Sequence, residues 1–194
     1  MFVIFKGNRM SDWIENHKLS TDSAQKIVDE IEETVKKFKV ESDTKGKSTT
    51  GKNSLQYELL AYIENFQFTA PLTQVAENTL RSKGLLSSNQ KLEICSLWSV
   101  FGGKGTFHRV HRHNRVGVDH YSMVVYAHAD STNDETSGAF FAVLNDNDEN
   151  DFIEFAPETG DILMFPVWIC HGTYPQQTEK RITLNLDFKT VTCS

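Results

Sequence analysis

The chain has no basic stripe. Among its 194 residues, 26 are Asp or Glu and 20 are Lys or Arg, a formal net charge of -6. The clustered cations that neutralise phosphates are missing, so general nucleic-acid affinity is not expected. The one local cluster, Lys36, Lys37 and Lys39, falls where a helix is expected to end, a position where cations suit the helix dipole. Cysteine is also sparse: Cys95, Cys170 and Cys193 are odd in number, with no short spacing among them. That speaks against a disulfide framework or a thiolate zinc site and points to a reducing compartment. No apolar run approaches membrane-spanning length, and the opening patch from Met1 to Phe5 is too short for a signal-peptide core. A soluble, cytoplasmic protein with no membrane partner is expected. No heptad or exposed repeat announces an oligomer.

With 39% hydrophobic residues the chain can bury a full core, and a single domain over 1–194 is the simplest count. Residues 1–90 read as helical support. Ile27, Ile31, Val35 and Phe38 recur at helical spacing through residues 23–40, behind a Thr21-Asp22-Ser23 start signal. Residues 41–53 are polar and rich in Gly, Ser and Thr, which reads as a loop. Residues 54–65 and 71–82 each carry apolar positions at roughly helical spacing, the second with Pro71 at its start and Gly84 beyond its end.

From residue 91 the texture changes to β. Short runs rich in β-branched and aromatic residues cover 92–101, 106–113, 121–128, 139–144, 152–155, 161–168 and 181–188, separated by Gly, Asn, Asp and Pro clusters. No helix alternates with these strands, so a parallel α/β fold is disfavoured. A mostly β architecture with N-terminal α-helices is expected, its core over 91–194 a jelly-roll or cupin-like barrel, the double-stranded β-helix. In the last strand Arg181, Thr183, Asn185 and Asp187 alternate with Ile182, Leu184, Leu186 and Phe188. The polar face can line a barrel mouth while the apolar face packs under the N-terminal helices.

Five of the seven histidines lie between His108 and His128. Neutral imidazole is a preferred ligand of iron, zinc, copper and nickel. On a regular strand over 107–113, His111 and His113 share a face with Arg109, and His108 points the other way. His171, far downstream, follows an apolar strand and a bend that can hold one imidazole in a dry wall. The acidic run from Asp146 to Asp151 lacks the Gly and the bidentate Glu of a calcium loop and reads as a solvated hairpin tip. Gly102, Gly103 and Gly105 lack the remaining phosphate-loop spacing and read as a tight turn.

These residues resemble a known family. Trp98 with Gly105, His111-Arg112-His113-Asn114, the stretch from Tyr121 to Tyr126, the stretch from Gly160 to Pro166, His171-Gly172 and Arg181-Ile182-Thr183 are together similar to the 2-oxoglutarate- and iron(II)-dependent oxygenases, particularly small bacterial and phage-type members. The resemblance covers roughly the last hundred residues and leaves the N-terminal helices out. It implies a double-stranded β-helix holding Fe(II) through a His-x-Asp/Glu pair and a distal His. It also implies an Arg-x-Ser/Thr pair, here Arg181 and Thr183, binding the far carboxylate of 2-oxoglutarate, with Tyr126 or Tyr121 as further carboxylate contacts. The implied reaction consumes dioxygen and couples oxidative decarboxylation of 2-oxoglutarate to oxidation of a small-molecule or peptide substrate. Arg109 and Asn185 are further pocket candidates.

One departure matters. The His-x-Asp/Glu pair appears here as His111-Arg112-His113. Two ligand sets follow: His111, His113 and His171, or two histidines with Asp119 as the carboxylate. Two other functions also stay open. A cupin-type metal dioxygenase shares the Gly105 and Gly160 spacings but gives Arg181 and Thr183 no role. A non-catalytic jelly roll stapled by zinc would need a fourth ligand, from His108, His120 or His128. Substrate choice is expected in loops 114–120 and 129–137.

Overall fold

A computed structural model describes residues 4–9, 13–43, 49–51, 53–113, 120–144 and 152–193. Its strands are β1 (Ile4–Arg9), β2 (Glu15–Leu19), β3 (Thr49–Thr50), β4 (Ser54–Glu58), β5 (Gln90–Gly102), β6 (Phe107–His108), β7 (His120–Ala129), β8 (Phe140–Val143), β9 (Phe152–Phe155), β10 (Asp161–Pro166), β11 (Cys170–Thr173) and β12 (Arg181–Thr192). Two helices, α1 (Thr21–Phe38) and α2 (Thr69–Ser82), and a 3-10 helix over Leu60–Asn65 complete the described elements. The run from Asp146 to Asp151 lies outside the described residues.

Seven strands form one sheet in the order β1-β2-β10-β7-β12-β5-β4, opposed by the smaller sheet β11-β8-β9, with β3 paired to β6. This is a double-stranded β-helix. Alternation along the central strands divides the interior into two cores. On β7 and β12, Tyr121, Met123, Val125 and Ala127, with Ile182, Leu184, Leu186 and Phe188, face outward and are covered by Ile27 and Ile31 of α1 and Leu72, Ala76 and Leu80 of α2. The opposite side chains turn into the barrel, where Tyr126, Leu163 and Phe165 pack on Phe140, Ala142 and Ile169 of the facing layer. The helices therefore seal one side of the large sheet and leave the other for the site.

Helix α1 begins two residues earlier than expected, at Thr21, because Ser20 rather than the Thr21-Asp22-Ser23 signal caps it, its hydroxyl accepting from the Ser23 N–H at 3.2 Å. It ends at Lys39, in the left-handed region at φ 50. Residues 1–90 contribute more than helices. β2 pairs with β10, β1 extends that edge, and β4 closes the other edge on β5.

Two expected elements differ. Residues 54–65 are a strand and a 3-10 helix rather than an α-helix. The free edge of the long β5 offers hydrogen-bonding partners that Ser54 to Glu58 take up, with Tyr57 opposite Ser99, and unpaired edge groups outweigh a weak helical spacing. Residues 106–113 are regular only at Phe107–His108. Beyond these the chain is held by single contacts: a bridge in which His111 and His171 exchange backbone hydrogen bonds at 2.9 Å each, and a bond from the His113 N–H to the Val167 carbonyl at 2.9 Å. Among the described residues no helix is long and apolar enough to cross a membrane.

Candidate metal centre

The His111–His171 bridge ties the irregular segment after β6 to β11, and that backbone pairing brings the three imidazoles together. The ligand atoms of His111, His113 and His171 all lie within 4.8 Å of one another. Each ring is tethered by its Nδ1. His111 Nδ1 lies 2.7 Å from the Arg109 carbonyl, His171 Nδ1 lies 2.9 Å from the Ile169 carbonyl, and His113 Nδ1 lies 2.9 Å from Asp187 Oδ1. Carbonyls and carboxylates only accept, so each Nδ1 carries a proton, and in the neutral ring, the form that ligates a metal, Nε2 presents a lone pair. The Nε2 atoms of His111 and His113 are 3.3 Å apart. Two lone pairs held face to face repel unless a cation stands beside them, and the three-imidazole donor set suits iron or another borderline metal.

Burial keeps two of the rings in their ligand form. It pulls His171 well below the ordinary imidazole range, with His111 adding to the effect, and lowers His111 too. His171 is packed among Phe140 and Phe165. Of the spare ligands considered for a structural zinc, His108 is outside the three-ring cluster although it lines the same cavity. Burial, followed by the Arg181 cation, pushes His108 down to about 3. His128 hydrogen-bonds Asp130 at 3.0 Å, and His120 is buried away from the cavity lining. No fourth histidine joins the three among the described residues, which counts against a closed staple. Asp119, the alternative carboxylate, lies outside the described residues.

The cavity beside the imidazoles has Trp98, Tyr126, Phe140, Arg181 and Thr183 among its lining. Arg181 is 6% exposed. Its Nη1 donates to the Gly138 carbonyl at 2.7 Å, and its Nη2 reaches Thr173 Oγ1 at 3.5 Å. Among the described residues no carboxylate is paired with it. A buried guanidinium without a counter-anion calls for an anionic ligand. A register shift between Ile182 and Thr183 sets Tyr126 of β7 opposite Thr183 of β12. Burial holds the Tyr126 phenol well above its usual range, so it remains a donor. Asn185 Nδ2 donates to Thr183 Oγ1 at 3.2 Å, which leaves the Thr183 proton free to point into the cavity.

Not every expected residue arrives there. Arg109 is exposed, because residues 109–113 leave the strand, and His108 lines the cavity instead of facing away from it. Tyr121 faces the helices. Asp187 and Ser122 were missed as partners of the centre: Ser122 Oγ donates to Asp187 Oδ1 at 2.6 Å and lies 3.1 Å from His113 Nδ1. The signal was present, since Asp187 shares the inward face of β12 with Arg181, Thr183 and Asn185.

Residues 96–187 match the family model described as "Putative 2OG-Fe(II) oxygenase". No curated protein matches the chain. Solved structures match over most of its length. A Pseudomonas putida prolyl-4-hydroxylase is 14% identical with a TM-score of 0.64, covering 91% of each chain. HygX from Streptomyces hygroscopicus, with nickel and 2-oxoglutarate bound, is 13% identical with a TM-score of 0.63, covering 91% of this chain and 82% of its own. The viral collagen prolyl hydroxylase of Paramecium Bursaria Chlorella virus-1, a 2-oxoglutarate complex, is 13% identical with a TM-score of 0.59, covering 91% and 96%. At such identities the likeness establishes the shared fold.

Proposed function

We propose that residues 96–187, which match the oxygenase family model, form a 2-oxoglutarate- and iron(II)-dependent oxygenase core that holds Fe(II) on the Nε2 atoms of His111, His113 and His171 and anchors 2-oxoglutarate through Arg181, Thr183 and Tyr126. The observation carrying this reading is the juxtaposition of three converging imidazoles with a buried guanidinium that pairs with no carboxylate among the described residues, all in one cavity. When bound, the metal and cosubstrate supply dioxygen activation coupled to oxidation of a substrate carbon.

The residues divide the remaining work. The Ile169 and Arg109 carbonyls and Asp187 keep the Nδ1 protons in place and aim the rings. Arg181 offers its fork to the far carboxylate of the cosubstrate, Thr183 and Tyr126 add neutral donors, and Asn185 orients Thr183. Phe140 and Phe165 keep water from His171. In this reading residues 1–90 support a core over 91–194 within one domain. A reducing cytoplasm suits both the ferrous ion and the three free thiols. The substrate, a small molecule or a peptide, is chosen by loops around the mouth, residues 129–137 among them.

Anaerobic titration of metal-free protein with iron(II) and then 2-oxoglutarate tests the reading. A visible metal-to-ligand charge-transfer band that needs both components is the expected result. Stoichiometric metal binding without a band would move the function to a cupin-type enzyme or a structural ion. Gly138 supplies a separate test, since it sits at φ +66 and a Cβ there overlaps Arg181 Nη1. Gly138→Ala is expected to displace the guanidinium and weaken 2-oxoglutarate binding roughly tenfold, the loss of about one charge-assisted hydrogen bond, while iron(II) affinity stays at the wild-type value. Titrating the band with each component in turn separates the two.

A further inference from the structure

The tethers of the three imidazoles are unequal. His111 and His171 are held by neutral backbone carbonyls, whereas His113 is held by the buried carboxylate of Asp187. His113 also occupies the place where the family pattern has a ligating Asp or Glu, so the ligand set it completes contains only neutral donors. A divalent ion there would keep its full charge in a buried site, an unfavourable state unless an anion lies near.

We propose that Asp187 is a positioning residue that returns this missing negative charge from behind the ligand: it accepts the His113 Nδ1 proton and makes His113 the most electron-donating of the three imidazoles. The local backbone supports the placement. Asp187 stands opposite Ser122 on β7, and the register of β12 against β5 shifts immediately after it, which re-aims the strand at this point. Its Oδ1 receives both the Ser122 hydroxyl at 2.6 Å and the His113 ring at 2.9 Å. Ser122 therefore shares the carboxylate with the imidazole and draws on the same charge. A carboxylate bonded to the far nitrogen of a ligating histidine fixes the ring and raises its basicity. Here it also takes over the charge of the absent anionic ligand.

The inference rests on the three-histidine reading, and its test is arranged so that the two fail separately. Iron(II) affinity and the energy of the 2-oxoglutarate charge-transfer band are measured anaerobically for wild type, Asp187→Asn, Asp187→Ala, Ser122→Ala and His171→Ala, alongside the melting temperature of each metal-free protein. Asp187→Asn keeps an acceptor for His113 and removes the charge. It is expected to bind iron(II) about tenfold more weakly, within the 10- to 100-fold span of outer-shell changes, and to move the band to higher energy, because a less electron-rich iron gives up an electron less readily. Ser122→Ala, which removes the hydroxyl competing with His113 for Asp187 Oδ1, is expected to move both quantities the opposite way, and it decides the matter should Asp187→Asn not fold. Wild-type affinity and band energy in Asp187→Asn, with loss only in Asp187→Ala, would reduce Asp187 to a neutral hydrogen-bond acceptor and overturn the proposal. So would shifts of the same sign in Asp187→Asn and Ser122→Ala. Wild-type iron binding by His171→Ala would remove the three-histidine site itself, and the role of Asp187 with it.

Discussion

His171→Ala is expected to abolish metal-linked stabilisation while leaving the metal-free fold intact. The metal-free protein derives modest support from this ring: one hydrogen bond from Nδ1 to the Ile169 carbonyl and contacts with Phe140 and Phe165. Truncation leaves a cavity and one underused carbonyl, a cost of about 2–3 kcal/mol. That corresponds to roughly 4–12 °C in the melting temperature of a chain this size. In the proposed three-histidine site the metal would lose far more, one ligand of three, and the two left would share a single segment. Metal at 100 times its dissociation constant should stabilise wild type by about 2.7 kcal/mol, or roughly 5–11 °C. His171→Ala should show no such rise at the same concentration. Thermal melts with and without nickel or iron(II) measure this directly, and a wild-type rise in the variant would mean that the metal is held elsewhere.

The site was legible where chemistry and period coincide. Arg181, Thr183, Asn185 and Asp187 alternate with apolar residues on β12, and a period of two assigns every polar side chain to one face whatever the tertiary context. The family resemblance extended this to His111, His113 and His171, and the structure brings those three within ligand distance of one another. The role of Asp187 was less legible, because a strand pattern states which face a residue shares but not which partner lies across the barrel. The hydrogen bond to His113 spans 74 positions of sequence. Arg109 and His108 were misplaced for a related reason. Strand alternation does not run through residues 107–113: the bridge to β11 breaks the period at His111, and His108 lines the cavity.

The N-terminal third was legible for the helices alone. α1 and α2 carry their own signals, a Ser cap, an apolar stripe and Pro71 in the first turn, all within one turn of where they act. β1, β2 and β4 depend on open edges made by β10 and β5, strands that come much later in the chain. Local propensity contains no information about such edges. Ser54 to Glu58 shows the consequence: apolar spacing that suits a helix yields to backbone pairing along β5.

Arg181→Ala is expected to raise the 2-oxoglutarate concentration needed for the charge-transfer band about a hundredfold, with iron(II) affinity unchanged. In the proposed site the guanidinium would contribute charge-assisted hydrogen bonds to a carboxylate in a buried cavity, and losing them would cost about 3 kcal/mol. Thr183 and Tyr126 remain as neutral donors, which accounts for residual binding. The metal is spared because none of the three tethers on the imidazoles runs through Arg181. Arg181→Lys sharpens the argument. An ammonium keeps the charge but lacks the planar fork that both holds the Gly138 carbonyl and faces the ligand, so it should recover only part of the hundredfold. Full recovery would make charge alone sufficient. Equal loss of iron(II) and 2-oxoglutarate binding in Arg181→Ala would make the residue a structural support of the β12 face rather than the cosubstrate's anchor.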